Sequence, residues 1–406
     1  MAALLLVAAG CGSDGESSTP GVTSTTITIG SHQPLTGTTS AAYSGVAPAA
    51  KAYFDFVNDH GGVHGRRIIY AYRDDAYTPS NAVQVVPKLV EQDKVFAIFN
   101  GLGTGPHSAV VNYLNKHKVP DLFPASGCPC WNDPGKLPYT FGWQTDLTRE
   151  GKILGFYMKR KFPGKRIAYL YQDDGYGRGG VKGLDLVVPS SLVVTRQKHP
   201  IGVHNLDSQI QAIIRAKADV IIAFTQPAYA ALLRLTQLRL GNNAQLAVSF
   251  GGIDQDALAA LPSTSSPIIT DTFLTPISET SSSWNRLMKR VHDKYAPTQP
   301  FDQWFVYGMS AAYTFVEALQ RNGRNLTRES LTTTLEKGGI SPGPGLTPFD
   351  FSTTQHGGYT GAQIASIQGT AYTLQGQPLT TDGGNGPVVP VTAPLPPAPS
   401  DGLPAP

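Results

Sequence analysis

Short apolar runs alternate with helical stripes along the first third of the chain. The segment Ile27-Thr-Ile29 alternates in polarity and predicts a strand. The segment 43–60 instead repeats apolar residues, among them Val46 and Tyr53, at helical spacing. The alternation continues and predicts strands at 27–29, 67–72, 95–99 and 119–123, separated by helices at 43–60, 80–92 and 107–114. This order, with its short connections, is typical of a parallel sheet with helices on both faces.

The pattern then restarts, which predicts a second α/β unit of similar design. We expect strands at 167–171, 192–195, 219–224, 245–250 and 268–273, and helices at 147–160, 177–188, 208–216, 229–240 and 254–261. Further helices are predicted at 283–295, 301–321 and 327–337, followed by a hairpin from 363–366 and 370–374. The sequence therefore predicts an α/β protein built from two units of similar design.

A glycine-rich turn follows the third predicted strand. Gly101, Gly103, Thr104 and Gly105 lie between the apolar run 95–99 and the start of a helix. Such a junction aims several backbone N–H groups and the positive end of a helix dipole at one point, where an anionic or polar ligand group can bind. The alternative is an ordinary turn whose glycines only permit positive φ.

Composition and charge restrict the classes of partner. Of the 406 residues 15% are charged, and the formal net charge of +3 is too weak to indicate nucleic-acid binding. The sequence has no run of about 20 apolar residues that would predict a transmembrane helix. Residues 378–406 are rich in Pro, Gly and Thr without an apolar period, and we expect a disordered tail there.

The first eleven residues form a short apolar run that ends in small residues and Cys11, followed by a polar segment. Ala8-Ala9-Gly10-Cys11 resembles the lipobox of a bacterial lipoprotein signal, which implies cleavage before Cys11 and a lipid on that residue. The run departs from an export signal because no Lys or Arg precedes it. The alternatives are that the true start lies upstream, or that the run packs into the core.

The remaining cysteines are Cys128 and Cys130, separated by one proline. Two thiols in an exported protein favour a disulfide, and the proline can hold the tight turn. The alternative is a reduced, buried pair. A zinc site would need two more Cys or His ligands, and none is close in sequence.

Several segments together resemble the type I periplasmic binding proteins, in the leucine/isoleucine/valine-binding branch. They cover the chain from about 27 to 351 in the family's order. The segments are Ile27-Thr-Ile-Gly-Ser-His-Gln-Pro-Leu-Thr-Gly37, Asn58-Asp-His-Gly-Gly-Val-His-Gly65, Asp74-Asp-Ala-Tyr-Thr-Pro-Ser-Asn-Ala82, the glycine turn, and Tyr169-Leu-Tyr-Gln-Asp-Asp-Gly-Tyr-Gly177.

The resemblance implies two Rossmann-like three-layer lobes joined by three crossings, with a ligand in the cleft between them. The first lobe would comprise 26–143 and 276–349, and the second 144–275 and 350–377, after a signal and linker at 1–25. The implied activity is that of an extracytoplasmic solute receptor for an ATP-driven importer, anchored to the membrane by lipid and monomeric. Its partners would be a small-molecule ligand and a permease, without catalysis, cofactor or metal.

The resemblance also implies which residues contact the ligand. First-lobe contacts would come from the turns after the third and fourth strands and from the first loop. Second-lobe contacts would come from a Gly-Tyr-Gly motif and from two strand ends. The implied residues are Tyr43, Gly103, Thr104, Ala125, Ser126 and Gly127 in the first lobe, and Tyr176, Thr225, Gln226 and Asp254 in the second.

One position departs from the amino-acid-binding members of the family. These carry an acidic residue after the strand that matches 245–250, where it pairs with the ligand ammonium. Here Gly251 stands at that point, and Asp254 follows a few residues later. A buried ammonium without a counter-charge is costly. Either Asp254 reaches the ligand, or the ligand is another small polar or aromatic carboxylate or amide.

Other functions were weighed against this hypothesis. A dinucleotide-dependent enzyme has only the glycine turn in its favour, which lacks the last glycine of the Rossmann fingerprint. A ligand sensor that signals to a membrane partner would share the same fold.

The pair Asp74-Asp75 is interpreted as capping the next loop, while Trp143 either lines the cleft or packs at a crossing. We expect His32 and His107 to be solvated or capping residues.

Overall fold

The computed structural model describes residues 19–254, 266–369, 371–392 and 395–405. Its first sheet has five strands in the order β2-β1-β3-β4-β5, and every neighbouring pair is parallel. Parallel neighbours of this kind need a crossover connection, which the helices between the strands supply. The strands are β1 (Thr26–Gln33), β2 (Arg67–Asp74), β3 (Ile98–Phe99), β4 (Asp121–Leu122) and β5 (Thr140–Phe141).

Helices cover this sheet with apolar faces, as the stripes predict. The connecting helices are α1 (Ser40–Tyr43), α2 (Val46–Asp59), α3 (Pro79–Pro87), α4 (Thr104–Ser108) and α5 (Val111–Lys116). Three later helices return to the same unit, namely α10 (Ser283–Tyr295), α11 (Gln303–Asn322) and α12 (Arg328–Glu336). Helix α11 lies so close to α2 that a Cβ on Gly308 would be 2.2 Å from the carbonyl oxygen of Val46. We call this unit the first lobe.

The second sheet is larger and mixed. Its order is β7-β6-β8-β9-β10-β13-β14-β15, with a parallel part from β7 to β10 and antiparallel pairing from β10 onward. The strands are β6 (Ile167–Gln172), β7 (Val193–His199), β8 (Val220–Phe224), β9 (Gln245–Val248), β10 (Ile268–Thr272), β13 (Gly361–Gln368), β14 (Ala371–Thr380) and β15 (Val389–Pro390). The predicted C-terminal hairpin is confirmed as β13 and β14.

Four helices flank the second sheet, and we call the sheet with these helices the second lobe. They are α6 (Leu147–Lys161), α7 (Gly175–Asp185), α8 (Asp207–Arg215) and α9 (Pro227–Arg239). The helix predicted at 254–261 falls almost wholly outside the described residues, as does Cys11. Among the residues that are described, no helix has the length and apolarity needed to cross a membrane.

Apart from the C-terminal tail, the chain passes between the lobes in three neighbouring segments, which are held together by hydrogen bonds. Tyr359 N donates to the carbonyl oxygen of Trp143 (2.9 Å), and Leu346 N donates to that of Phe273 (2.7 Å). The Trp143 ring is fully buried, and it packs edge-on against the rings of Phe273, Tyr307 and Tyr359. Trp143 therefore packs at the crossings, where its indole N–H donates to Thr314 Oγ1 (3.0 Å).

One expected boundary between the lobes is wrong. The segment after 350 was expected in the second lobe, but β11 (Phe349–Ser352) pairs with β12 (Gln355–Tyr359) in a separate two-stranded sheet. The ring of Phe351 contacts those of Phe123 and Phe141 from the first lobe. Aromatic side chains hold this segment on the first lobe, and the chain rejoins the second sheet only at β13.

The expectation of a disordered tail at 378–406 is also wrong for the residues of the tail that are described. Lys152 of α6 has a side chain that is 1% exposed, and its ammonium group donates to Asp382 Oδ1 (2.7 Å) and to the carbonyl oxygens of Gly384 and Gly386. On the first lobe, Tyr53 Oη donates to the carbonyl oxygen of Gly402 (2.8 Å). Backbone carbonyls of the tail thus satisfy buried donors, which needs no apolar period.

We expect Gly183→Ala to destabilise the second lobe. A Cβ on Gly183 of α7 would lie 2.0 Å from the carbonyl oxygen of Thr148 in α6, so the helices would have to separate. Overpacking of this kind costs about 1–3 kcal/mol, measured as the free energy of unfolding in urea. Gly135→Ala is the matched control, because its Cβ would meet only Asp133 at 3.7 Å. Equal stability of the two variants would contradict this account of the packing.

Candidate functional site

The glycine turn of the first lobe forms one wall of the site. After β3, the backbone has positive φ at Asn100 and Gly103, and α4 begins at Thr104. A Cβ on Gly103 would lie 2.6 Å from the ring of Tyr77, so this position tolerates no side chain. The turn pairs with the one after β4, since Ala125 N donates to Gly101 O (2.9 Å) and Gly103 N donates to Ala125 O (3.2 Å).

A buried chain of polar side chains supports this turn from beneath. Asp75 Oδ2 lies 2.6 Å from His32 Nδ1, His32 Nε2 lies 2.9 Å from His107 Nδ1, and His107 Nε2 lies 2.9 Å from Asp121 Oδ2. These side chains are essentially inaccessible to solvent. The two histidines are therefore buried partners of each other, and the expectation that they are solvated or capping residues is wrong. A Cβ on Gly101 would lie 2.5 Å from His32 Nε2, which explains the glycine there.

The turn after β4 is fixed by hydroxyl groups and a disulfide. Thr104 Oγ1 and Ser126 Oγ share a hydrogen bond of 2.7 Å. Ser126 O accepts from the Trp131 indole (3.0 Å), and Cys128 N donates to Ser126 Oγ (3.3 Å). Cys128 and Cys130 form a disulfide, as the sequence favours.

The second lobe contributes a tyrosine from the start of α7. Asp174 caps this helix by accepting from Tyr176 N and Gly177 N, which fixes the position of the tyrosine. Tyr176 Oη shares a hydrogen bond of 2.6 Å with Ser249 Oγ, and burial holds the pKa of the phenol well above its usual value. A Cβ on Gly251 would lie 2.8 Å from Tyr176 Oη. The tyrosine hydroxyl thus occupies the space into which an acidic side chain at 251 would have to enter.

Three hydrogen bonds join the lobes across the cleft, so the structure is closed. Tyr43 Oη donates to Gly251 O (2.6 Å), and the Trp304 indole donates to Ile253 O (3.0 Å). Thr39 Oγ1 donates to Gln226 Oε1 at 3.3 Å.

These groups line a small cavity of about 40 Å³ in the closed cleft. Both lobes contribute to its wall. The lining residues are Tyr43, Tyr77, Leu102, Gly103, Thr104, Ala125, Ser126, Gly127, Gln144, Tyr176, Gln226, Gly251 and Trp304.

Most of the residues implied by the resemblance meet at this cavity. Thr225 does not line it, because its side chain is fully buried and bonded to His199 Nε2 (2.8 Å). Asp254 does not line it either, although its charge helps to raise the pKa of Tyr43, after burial and Tyr77. Contact of these two residues with a ligand stays a prediction. The remaining eight line the cavity, and that they contact a ligand stays a prediction.

Sequence reasoning missed several lining residues. Tyr77 lies in the segment 74–82 and Leu102 lies in the glycine turn, and both segments carry the family resemblance. Their position in those segments could have identified them as lining residues. Gln144 lies in the first crossing, and Trp304 is the second residue of α11. No sequence period marks these two, because the crossings bring them to the cleft.

A pair of buried carboxyl groups lies behind the cavity wall. Phe250 N donates both to Glu150 Oε1 (2.6 Å) and to Asp271 Oδ1 (3.1 Å). Burial, followed by the charge of Asp271, raises the pKa of Glu150 well above its usual value. Burial also raises the pKa of Asp271 to about 7. Two such groups hold a proton in the folded protein at a pH where the unfolded chain has released it.

This pair makes stability depend on pH in a defined direction. Since the folded pKa values are raised, the folded state binds more protons than the unfolded state above pH 4, and stability falls as pH rises toward about 7. Between pH 5 and pH 8 the free energy of unfolding should fall less for Glu150→Gln than for the unmodified protein. The difference should exceed about 1 kcal/mol, which corresponds to slightly less than one unit of pKa. Thermal or urea unfolding at both pH values measures this.

The control for this pH experiment is Glu329→Gln, which removes an exposed carboxylate in the first turn of α12. It should keep the pH profile of the unmodified protein. A Glu150→Gln protein with that same profile would mean that the buried pair holds no additional proton.

The described residues contain no group of three or more His, Cys, Asp or Glu placed to hold a metal ion. The site therefore has hydrogen-bonding and stacking groups as its chemistry. Tyr43 and Trp304 pack edge to face with ring centroids 4.6 Å apart, which presents flat apolar surfaces to the cavity.

Comparisons with known proteins match this architecture. A family model described as periplasmic binding protein matches residues 26–371. An amino acid binding protein of Pseudomonas aeruginosa is 28% identical over 156 residues, which is 38% of this chain and 41% of that protein. The chain thus spans about two fifths of the length of the curated relatives it matches.

Solved structures share the fold over most of the chain. A fatty acid ABC transporter substrate-binding protein from Thermomonospora curvata superimposes with a TM-score of 0.79 at 24% identity, covering 90% of this chain and 95% of that one. A branched chain amino acid ABC transporter protein from Thermus thermophilus with bound valine has a TM-score of 0.79 at 20% identity, covering 88% and 97%. At these identities the likeness concerns the fold.

Proposed function

Because the chain belongs to the periplasmic binding protein family, in the Leu/Ile/Val-binding branch, we propose that it is an extracytoplasmic receptor for a small solute. Its two lobes close on a small polar or aromatic solute, which it delivers to the permease of an ABC importer. The observation that carries the proposal is the cavity in the cleft, whose wall is formed by residues from both lobes. We assign no catalytic residue to it.

Lobe closure would couple binding to recognition by the permease. The contacts of Tyr43, Trp304 and Thr39 with the second lobe exist only when the cleft is shut. A solute that adds contacts to both walls stabilises this state, since a ligand shifts an equilibrium by its differential affinity for the two conformations. The crossings are the segments about which such a hinge motion would occur.

A substitution of Tyr176 tests whether the cavity is the ligand-binding site. We expect amino acids, amides and aromatic acids screened by thermal shift to include a solute that raises the melting temperature. Tyr176→Ala should weaken that solute at least about tenfold, near 1.4 kcal/mol, because the ring forms the second-lobe wall. Titration of tryptophan fluorescence, which reports on Trp304 in the cavity, measures the dissociation constant.

Tyr157→Ala is the matched control, since Tyr157 is half-buried on α6 of the same lobe and does not line this cavity. It should bind the solute as the unmodified protein does. A Tyr176→Ala protein with unchanged affinity would place the solute elsewhere. A shift by NAD and by no small solute would overturn the receptor proposal in favour of a dinucleotide-dependent protein.

We further propose that a lipid on Cys11 anchors the receptor to the outer face of the cell membrane, where it acts as a monomer. The support is the resemblance of residues 8–11 to a lipobox. Cys11→Ser, expressed from the complete gene, should move the protein from the membrane fraction to the soluble extracytoplasmic fraction. Continued partitioning of Cys11→Ser with membranes would contradict the anchor.

A further inference from the structure

The cavity wall carries no charged side chain among its described residues. An amino-acid ligand brings an ammonium group, which is costly to bury without a carboxylate partner. The carboxyl pair of Glu150 and Asp271 lies behind the wall, where Glu150 accepts from Phe250 N (2.6 Å). An acidic side chain at position 251 would collide with Tyr176, because a Cβ on Gly251 would lie 2.8 Å from Tyr176 Oη.

The backbone acceptors around the cavity are already engaged by protein donors. Gly251 O accepts from Tyr43 Oη (2.6 Å), Ala125 O accepts from Gly103 N (3.2 Å), and Ser126 O accepts from the Trp131 indole (3.0 Å). An ammonium needs three acceptors to replace its water shell. The described lining residues offer only neutral acceptors, and none carries the negative charge that would balance an ammonium group.

Two glutamine side chains are instead oriented as donors. Tyr307 Oη donates to Gln144 Oε1 (2.8 Å), and Thr39 Oγ1 donates to Gln226 Oε1 (3.3 Å). With the oxygens held in this way, the amide nitrogens remain for the ligand. Gln226 is 4% exposed, and its Nε2 makes no well-formed hydrogen bond within the protein, although the side chain interacts with the phenol of Tyr77. A buried donor without a partner is costly, which points to an acceptor supplied by the ligand.

We propose that the solute carries a carboxylate and no ammonium group, and that the carboxamides of Gln226 and Gln144 select it by donating to the carboxylate oxygens. The rings of Tyr43 and Trp304 then pack on its apolar body. This inference rests on the proposed function, and it assigns the solute class as small aliphatic or aromatic monocarboxylates. Gln226 is the main determinant of specificity, since its donor is the one left unsatisfied.

Matched pairs of solutes test this class. The pairs are 4-methylpentanoate and leucine, 3-methylbutanoate and valine, and 3-phenylpropanoate and phenylalanine, which differ within each pair only in the α-ammonium group. Isothermal titration of the full chain at pH 7.5 should give at least one carboxylate that binds about tenfold or more tightly than its amino acid. The inference is overturned if, in every pair that binds, the amino acid binds as tightly as its carboxylate partner or more tightly.

Variants of Gln226 test the residue. Gln226→Glu should weaken the preferred carboxylate at least about tenfold, because a second carboxylate replaces the donor. Gln226→Met, which removes the donor at similar volume, should also weaken it and decides the matter if Gln226→Glu fails to fold. Gln211→Glu, on the exposed face of α8 in the same lobe, is the control and should bind normally. Unchanged affinity in a folded Gln226 variant overturns the role.

The outcomes separate this inference from the proposed function. If other small solutes bind and compete for the cavity while none of these carboxylates does, the receptor proposal stands and the carboxylate class is wrong. If no small solute binds the unmodified protein at all, both fail.

Discussion

Three crossing segments, packed around the indole of Trp143, fix the relation between the lobes. The Trp143 carbonyl accepts from Tyr359 N, and its ring is enclosed by rings from all three crossings and from α11. The indole N–H reaches Thr314, so the buried ring leaves no unsatisfied donor. The cavity residues are placed relative to this cluster, because the two walls belong to different sheets.

The polarity of the second-lobe wall depends on which side chain fills the space beside position 251. At position 251 a glycine leaves space that Tyr176 Oη occupies, and the hydroxyl is fixed there by Ser249. The wall therefore offers a neutral phenol where a counter-charge for an ammonium would stand. Together with the glutamine amides, which have their oxygens held by hydroxyl groups, this makes the cleft rich in donors. Such a cleft can distinguish ligands by the presence or absence of one charged group, since a mismatched polar group is left without a partner.

Buried polar groups support both walls from behind. The chain from Asp75 through His32 and His107 to Asp121 holds the glycine turn, and the pair of Glu150 and Asp271 holds the Phe250 amide. Each group in these contacts has a hydrogen-bond partner, which offsets much of the cost of removing it from water. In the first lobe these hydrogen bonds orient the glycine turn. Apolar packing alone could not do so, because the backbone of the turn must face the cavity.

The sequence by itself determined the strands, most helices and the two-lobe class, because the periods of strand and helix are local properties of the chain. It also indicated most of the first-lobe wall, since glycines next to a strand end mark a turn at the sheet edge. Only the tertiary structure decided that His32 and His107 are buried partners, that Trp304 reaches the cleft, and that Thr225 and Asp254 stay out of the wall. The same holds for the tail, where Lys152 finds its acceptors more than 200 residues away. These outcomes depend on which distant side chains compete for one volume or one hydrogen bond, and no local pattern records that.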